Sequence, residues 1–152
     1  MTFALGKLEL IEVEQIDQHA NFLWQLLESR EEVKKISSTS ETDFESHLEF
    51  VRKHPYRKWY IVRLNELFVG STYLSFHNEI GLQILPQHYS DELFLKILDV
   101  VASEHHPLPK KLSCVPENFV VNVSSKDRRT CGLMESSGFY PLQITFDLKR
   151  KA

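Results

Sequence analysis

The side chains able to move a proton or hold a ligand gather around one short stretch. His77, Glu79 and His88 lie at or near its two ends, and Asp91 and Glu92 follow where a helical pattern begins. A histidine has an ordinary pKa close to neutral pH, so His77 and His88 are candidate general bases; the ordinary alternative for each is a surface histidine. Glu79 alternates with Ile80, Leu82 and Ile84, which puts it on the opposite face of a pleat, where a strand glutamate ordinarily meets solvent. Asp91 and Glu92 in a first helical turn complement the macrodipole and the free amides. The same carboxylates would repel a bound diphosphate, by ~4 kcal/mol per close unit-charge pair at an effective dielectric of about 20.

The other reactive groups carry less. His105 and His106 are adjacent, so their side chains diverge, and no cysteine or histidine stands at zinc-site spacing from them; no metal is expected. Cys131 would need an activating histidine to act as a nucleophile, and a small buried residue is its ordinary role. Cys114 and Cys131 make no disulfide framework. Walker loops, G-x-S-x-G elbows and GxGxxG turns are absent from the sequence.

The elements that must position these groups follow from periodicity. Residues 59–64 (WYIVRL) are aromatic and β-branched, Asn65-Glu66 supplies a two-residue turn, and 67–76 returns antiparallel. A third strand over 78–84 stops at Pro86, which cannot donate to a ladder. Leu93, Ile97, Leu98 and Val101 then recur at helical spacing and predict a helix over 91–104 packed on the sheet. Upstream, 7–13 reads as a strand and Asp17 as the cap of a helix bearing Phe22, Leu23, Leu26 and Leu27, which frays in the charged stretch 29–35. Thr42 and Glu45 have capping-box spacing before a helix ended by His54-Pro55. Downstream, 105–118 reads as an extended connection and 119–124 (FVVNVS) as a strand. A short helix starting at Ser125 or Lys126 ends at Gly138, and 140–149 alternates Leu142, Ile144, Phe146 and Leu148 with polar residues to close the sheet.

The chain has 152 residues, 42% hydrophobic and 26% charged, with a formal net charge of −3. Those values fit one ordinary globular domain and give no support to nucleic-acid or anionic-membrane binding as the main role. Its apolar runs are far short of the ~18 residues that span a bilayer, and its N-terminus lacks the pattern of a secretory signal. A cytoplasmic protein is expected, and Lys149, Arg150 and Lys151 are read as a solvated basic end.

Three segments resemble the GNAT acyltransferase superfamily: LFVGSTYL (67–74), EIGLQILPQHY (79–89) and ESSGFYPLQITFDL (135–148). They are similar to that family's x-x-V-G-x-x-x-L hairpin, its fourth strand with the following loop, and its E-K-x-G-F ending. The run from Phe22 to Val62 is also similar to a branch that acylates amino groups on nucleotide-linked sugars. The resemblance implies an α/β (α+β) single-domain GNAT-like fold, a mixed, mostly antiparallel sheet flanked by about four helices. It implies acetyl-CoA as cofactor and a small-molecule amine, such as an amino sugar, as acceptor. A homodimer is the assembly kept in view; nucleic acid and membrane are not expected partners.

The same resemblance assigns roles residue by residue. Backbone amides of Leu82, Gln83 and Ile84 would polarise the thioester carbonyl, and Glu79 stands where several members place a carboxylate that deprotonates the amine through water. The family's Arg/Gln-x-x-Gly-x-Gly/Ala loop, which binds pyrophosphate at a helix N-terminus, falls on QHYSDELFLK. Tyr89 takes the basic or amide position, and Ser90, Glu92 and Phe94 take the glycine positions. Asp127 and Thr130 would bond along the pantetheine arm. Met134 replaces the tyrosine often used as general acid, and a thioether has no proton to give. These departures support a competing expectation, a GNAT-fold binding or assembly module that does not bind CoA. A third reading is an unrelated small α+β ligand-binding domain.

Overall fold

The structure, a computed structural model, describes residues 6–30, 43–111 and 116–150. In chain order it runs β1 (Leu8–Glu12), α1 (Asp17–Ser29), α2 (Phe44–Lys53), β2 (Lys58–Leu64), β3 (Leu67–Leu74), β4 (Ile80–Ile84), a 3-10 turn at Pro86–His88, α3 (Asp91–Glu104) and α4 (Arg128–Ser136). The strands form one sheet in the order β1-β2-β3-β4, every neighbouring pair antiparallel. The expected charged stretch 31–35, the loop after it, Thr42 and Cys114 lie outside the described residues.

The hairpin forms as the sequence predicts. Leu64 faces Leu67 across the turn, and Asn65 and Glu66 take φ of 50° and 68°, the paired left-handed geometry that matches strand twist. Side-chain alternation then gives the sheet two apolar faces. Val62, Leu74, Ile80 and Ile84 meet Leu93, Phe94, Ile97 and Val101 of α3 on one side. Ile61, Trp59 and Leu85 meet Phe22, Leu23 and Leu26 of α1 and Val51 of α2 on the other. Each large side chain so buried contributes about 1.5–3 kcal/mol.

Helix ends differ in detail from expectation. Ile16, not Asp17, is the N-cap of α1 and makes no side-chain cap bond; Asp17 is the first helical residue, where its charge still favours the dipole. Asp43 caps α2 by accepting from the Ser46 amide. Gly138, at φ 94°, ends α4 with the paired bonds Phe139 N–H to Met134 O and Gly138 N–H to Glu135 O, each 3.1 Å, which only a left-handed residue completes readily.

Three expected strands are altered. The strand expected at 67–76 ends at Leu74, and the one expected at 78–84 begins at Ile80, because Asn78 turns left-handed (φ 61°). Residues 119–124 make only a single parallel bridge, between Glu79 and Val120. Val120 donates to Asn78 O and accepts from Ile80 N–H, and no further rung joins 121–124 to β4. Residues 140–149 form no strand, although their alternation is that of one. A strand needs a neighbouring edge, and the edge next in line, 121–124, has itself left the sheet.

Candidate active site

β4 is the axis of the site because its two sides are used differently. The ladder bonds Ser75 N–H to Glu79 O and Leu85 N–H to Val69 O fix the parity: residues 79, 81, 83 and 85 turn their backbone groups toward β3. Residues 80, 82 and 84 turn theirs outward. Ile80 uses its N–H on Val120, and beyond it the amides of Leu82 and Ile84 stand at an edge that no described residue pairs. Of the three residues assigned to polarise a carbonyl, Leu82 and Ile84 therefore present their amides to that edge. Gln83 does not: its N–H belongs to the β3 ladder and its side-chain Nε2 donates to Leu26 O at the end of α1.

On the α1/α2 side, Glu79 is half-buried and its Oε1 accepts from the Tyr73 hydroxyl at 3.2 Å. The Tyr73 ring lies across Gly81, where a Cβ would overlap it. It stacks on Tyr56 with centroids 3.9 Å apart and planes 10° apart. Burial, and next the Glu79 charge, push the Tyr56 phenol up to about 12 and raise Tyr73 as well, so both hydroxyls keep their protons at neutral pH and can act only as donors or neutral acceptors. Tyr73, Tyr56 and Gly81 were not singled out by sequence reasoning; the signal that could have found them is the short 75–79 turn, which sets Tyr73 opposite Gly81.

His77 is exposed in the same turn, its backbone N–H bonded to Ser75 Oγ at 3.1 Å. His88 lies beyond the other end of β4, about 20 Å of strand away at ~3.3 Å per residue. There it lines an open cleft of about 540 Å³ together with His19, Phe22, Arg63 and Phe68. Glu79 and His88 are therefore not alternatives at one site.

At the N-terminus of α3, Ser90 is the N-cap and its hydroxyl accepts from Leu93 N–H at 3.0 Å. Asp91 Oδ1 accepts from Tyr89 Oη at 3.0 Å and from Arg129 Nη2 at 3.3 Å, and the Arg129 guanidinium sits 4.6 Å above the Tyr89 ring. Burial, then the Asp91 bond, raise Tyr89 to about 12. Arg129, also missed by sequence reasoning, brings a cation from α4 to the helix end where the glycine loop is lacking. Asp127 and Thr130 are both buried and bonded to each other. Asp127 caps α4 through Thr130 N–H at 3.1 Å, and the Thr130 hydroxyl donates to its other oxygen at 2.7 Å. Their groups hold the helix end that carries Arg129.

Asn78 ties this region together. It is fully buried, its Nδ2 donates to Leu108 O and Pro116 O at 2.9 Å each, and its Oδ1 accepts from Leu108 N–H at 2.7 Å. Among the described residues no three histidine, cysteine or acidic side chains come together as a metal site, and no helix is long and apolar enough to cross a membrane.

No protein-family model and no curated protein matches the chain. Solved structures do. The N-acetyltransferase PseH of Campylobacter jejuni, in complex with acetyl coenzyme A, is similar at 18% identity over 93% of this chain and 94% of that one, with a TM-score of 0.61. A dodecameric spermidine N-acetyltransferase from Vibrio cholerae is similar at 18% identity, over 90% and 81% of the two chains, with a TM-score of 0.58. An acetyltransferase from Salmonella typhimurium that modifies the N-terminal serine of ribosomal protein L7/L12 matches at 15% identity, over 86% and 79%, with a TM-score of 0.62. With its antiparallel sheet, its helix pair before the hairpin and α3 on the opposite face, the chain has the fold of the GNAT N-acetyltransferases.

Proposed function

We propose that this protein transfers an acetyl group from acetyl-CoA to the amino group of a small molecule, with an amino sugar as the first acceptor to test. The observation that carries this reading is the parting of residues 121–124 from β4, which leaves the Leu82 and Ile84 amides at an edge that no described residue pairs, beside the N-terminus of α3. Such an edge fits the extended amide arm of CoA. The phosphate end fits less well, because Ser90 already holds one helix amide, and Arg129 is the group able to offset Asp91 there.

Bound acetyl-CoA supplies an activated thioester carbonyl. The Leu82 or Ile84 N–H donates to the carbonyl oxygen, where negative charge develops, without reorganising. Glu79 attracts the ammonium form of the acceptor and accepts its proton directly or through one water, leaving a neutral amine. The Tyr73 hydroxyl donates to Glu79 and holds its carboxylate in place. Tyr56 and Tyr73 wall the approach and exclude water from one face. The neutral amine would attack the thioester carbon directly, the C–N bond forming as the C–S bond breaks, and CoA would leave as a thiolate that takes up the nitrogen's second proton through water, so no side chain needs to form a bond to the acyl group.

The test is calorimetric titration with acetyl-CoA, followed by thiol release with a panel of amines. Micromolar binding (about 8 kcal/mol) with amine-dependent release supports the reading; no heat at millimolar acetyl-CoA defeats it. That second outcome would favour a binding or assembly module, the reading that the Ser90 cap and the acidic first turn of α3 support.

A further inference from the structure

Gln18, His19, Phe22 and Gln25 fall at helical spacing and share one face of α1. That face is one wall of the cleft of about 540 Å³ at the hairpin end of the sheet, a size usual for small-ligand sites. Ile11, Phe22, Phe68 and Leu85 give it apolar surfaces, with Phe22 and Phe68 edge-to-face at 5.3 Å between centroids. None of the groups used in the proposed acyl transfer lines it.

His19 supplies this cleft with a fixed donor. It is only 4% exposed, and its Nδ1 accepts from Glu14 N–H at 2.9 Å, so the neutral ring carries its proton on Nε2. Nε2 has no hydrogen-bond partner among the described residues. The sole fully enclosed and unbonded side-chain nitrogen or oxygen among them is Arg30 Nε, so His19 Nε2 still touches solvent. Its ring lines the cleft, and this N–H opens there. The side-chain amides of Gln18, Gln25 and Gln87 stand around the same cleft and bond to no described residue. Each offers an acceptor and two donors.

Charge decides what such a cleft suits. Arg63 is already neutralised: its guanidinium donates twice to Glu9, at 3.3 and 2.8 Å. Glu66 adds a carboxylate at the rim. With the histidines neutral, an anion would find no spare positive charge, whereas an uncharged ligand loses nothing. The aromatic walls call for a flat ring, and the amides for an edge that both donates and accepts. We infer that this cleft binds a nucleoside without phosphate, its base against Phe22 and Phe68, a ring acceptor on His19 Nε2–H, and its polar edge and sugar on the glutamines. This inference stands independently of acyl transfer.

The test uses the full chain at pH 8, where ordinary histidines are neutral, with inosine and uridine as probes in calorimetry and in amide chemical-shift mapping. At least one should bind with a Kd below about 1 mM, moving the signals of 18–25 and 66–68 and sparing those of 91 and 129. Its 5′-monophosphate should bind at least about threefold more weakly, because Glu66 repels it. Gln18→Ala, Gln25→Ala changes two exposed helix positions, keeps the fold, and should weaken binding about tenfold. His19→Phe should abolish binding; it also strips the Glu14 amide of its acceptor, so the glutamine pair decides should that variant not fold. No binding of either nucleoside at about 5 mM overturns the inference. So do shifts centred on Asp91 and Arg129 or on Tyr56 and Tyr73, a monophosphate that binds more tightly than its nucleoside, or a glutamine pair variant that binds as wild type does.

Discussion

The Tyr73 hydroxyl donates to Glu79 across the β3–β4 turn at 3.2 Å, and its ring lies where a side chain on Gly81 would stand. Residues from both ends of one tight turn thus hold a single carboxylate in a partly desolvated place. If Glu79 is the base, Glu79→Gln lowers turnover by about 10²–10⁴. Its stability should move by less than ~0.5 kcal/mol, as for most half-exposed strand positions. An unchanged rate returns Glu79 to an ordinary strand residue, and a loss of more than about 2 kcal/mol in urea denaturation makes it a structural partner.

Tyr73→Phe separates positioning from proton transfer. The ring and its stack on Tyr56 remain, and only the bond to Glu79 is lost. Turnover should fall by about tenfold or less, since one neutral hydrogen bond is worth roughly 1 kcal/mol. A turnover equal to wild type would remove Tyr73 from the site.

Asp91 and Arg129 give opposite expectations for acetyl-CoA affinity, measured by calorimetry. Arg129→Ala removes a cation and leaves Asp91 unbalanced, so binding weakens; Asp91→Asn removes the repulsion and frees Arg129, so binding tightens. Both groups are largely exposed, so each change should be about three- to tenfold, shrinking as salt is raised. Two changes in the same direction would refute the pairing as an electrostatic device.

Asn78→Ala should be the most damaging of these substitutions. It leaves the Leu108 amide and two carbonyls without their partner in a buried place and removes a residue suited to φ 61°. A cost of about 2–4 kcal/mol is expected from urea midpoints. A loss below about 1 kcal/mol would mean that water replaces the amide easily.

A pH dependence follows from His105, whose Nε2 meets the Tyr60 hydroxyl at 3.0 Å. Burial first, then the Arg57 charge, lower its pKa below the ordinary histidine value. The unfolded chain therefore binds the proton more readily. This contribution is fully present above about pH 6.5 and is lost as pH falls through the lowered folded value. Thermal melts of wild type and His105→Phe between about pH 5 and pH 8 should converge on the acid side. A gap that widens on acidification would reverse the sign and the explanation.

Much of this frame was legible in the residues. The β2–β3 hairpin announces itself by β-branched strands around a two-residue turn, and α3 by the spacing of Leu93, Ile97, Leu98 and Val101, because both patterns are local. Residues 119–124 and 140–149 were misread for the complementary reason. Alternation states which face a segment would bury, but a strand exists only where a second edge arrives, and that is a long-range fact. The site divides in the same way. Glu79 could be placed from its position on a strand, whereas Tyr73 over Gly81 depends on register across a turn, and Arg129 reaches Asp91 across 38 residues. The roles assigned to Asp127 and Thr130 came from the resemblance of the last helix to the family's pattern. The structure shows their polar groups bonded to each other, which spacing cannot reveal.

The sheet's two separate apolar faces bear on optical measurement. Both tryptophans lie on the α1/α2 side: Trp59 within that core, ringed by Phe50, His54 and Tyr56, and Trp24 edge-on to Phe44. The α3 side holds none. Intrinsic fluorescence will therefore follow the half of the molecule next to Glu79 and stay silent about the half next to Arg129. A ligand seated against Tyr56 and Tyr73 should change the emission within its own binding curve, while one confined to the α3 end should need an added label at that end to be seen at all.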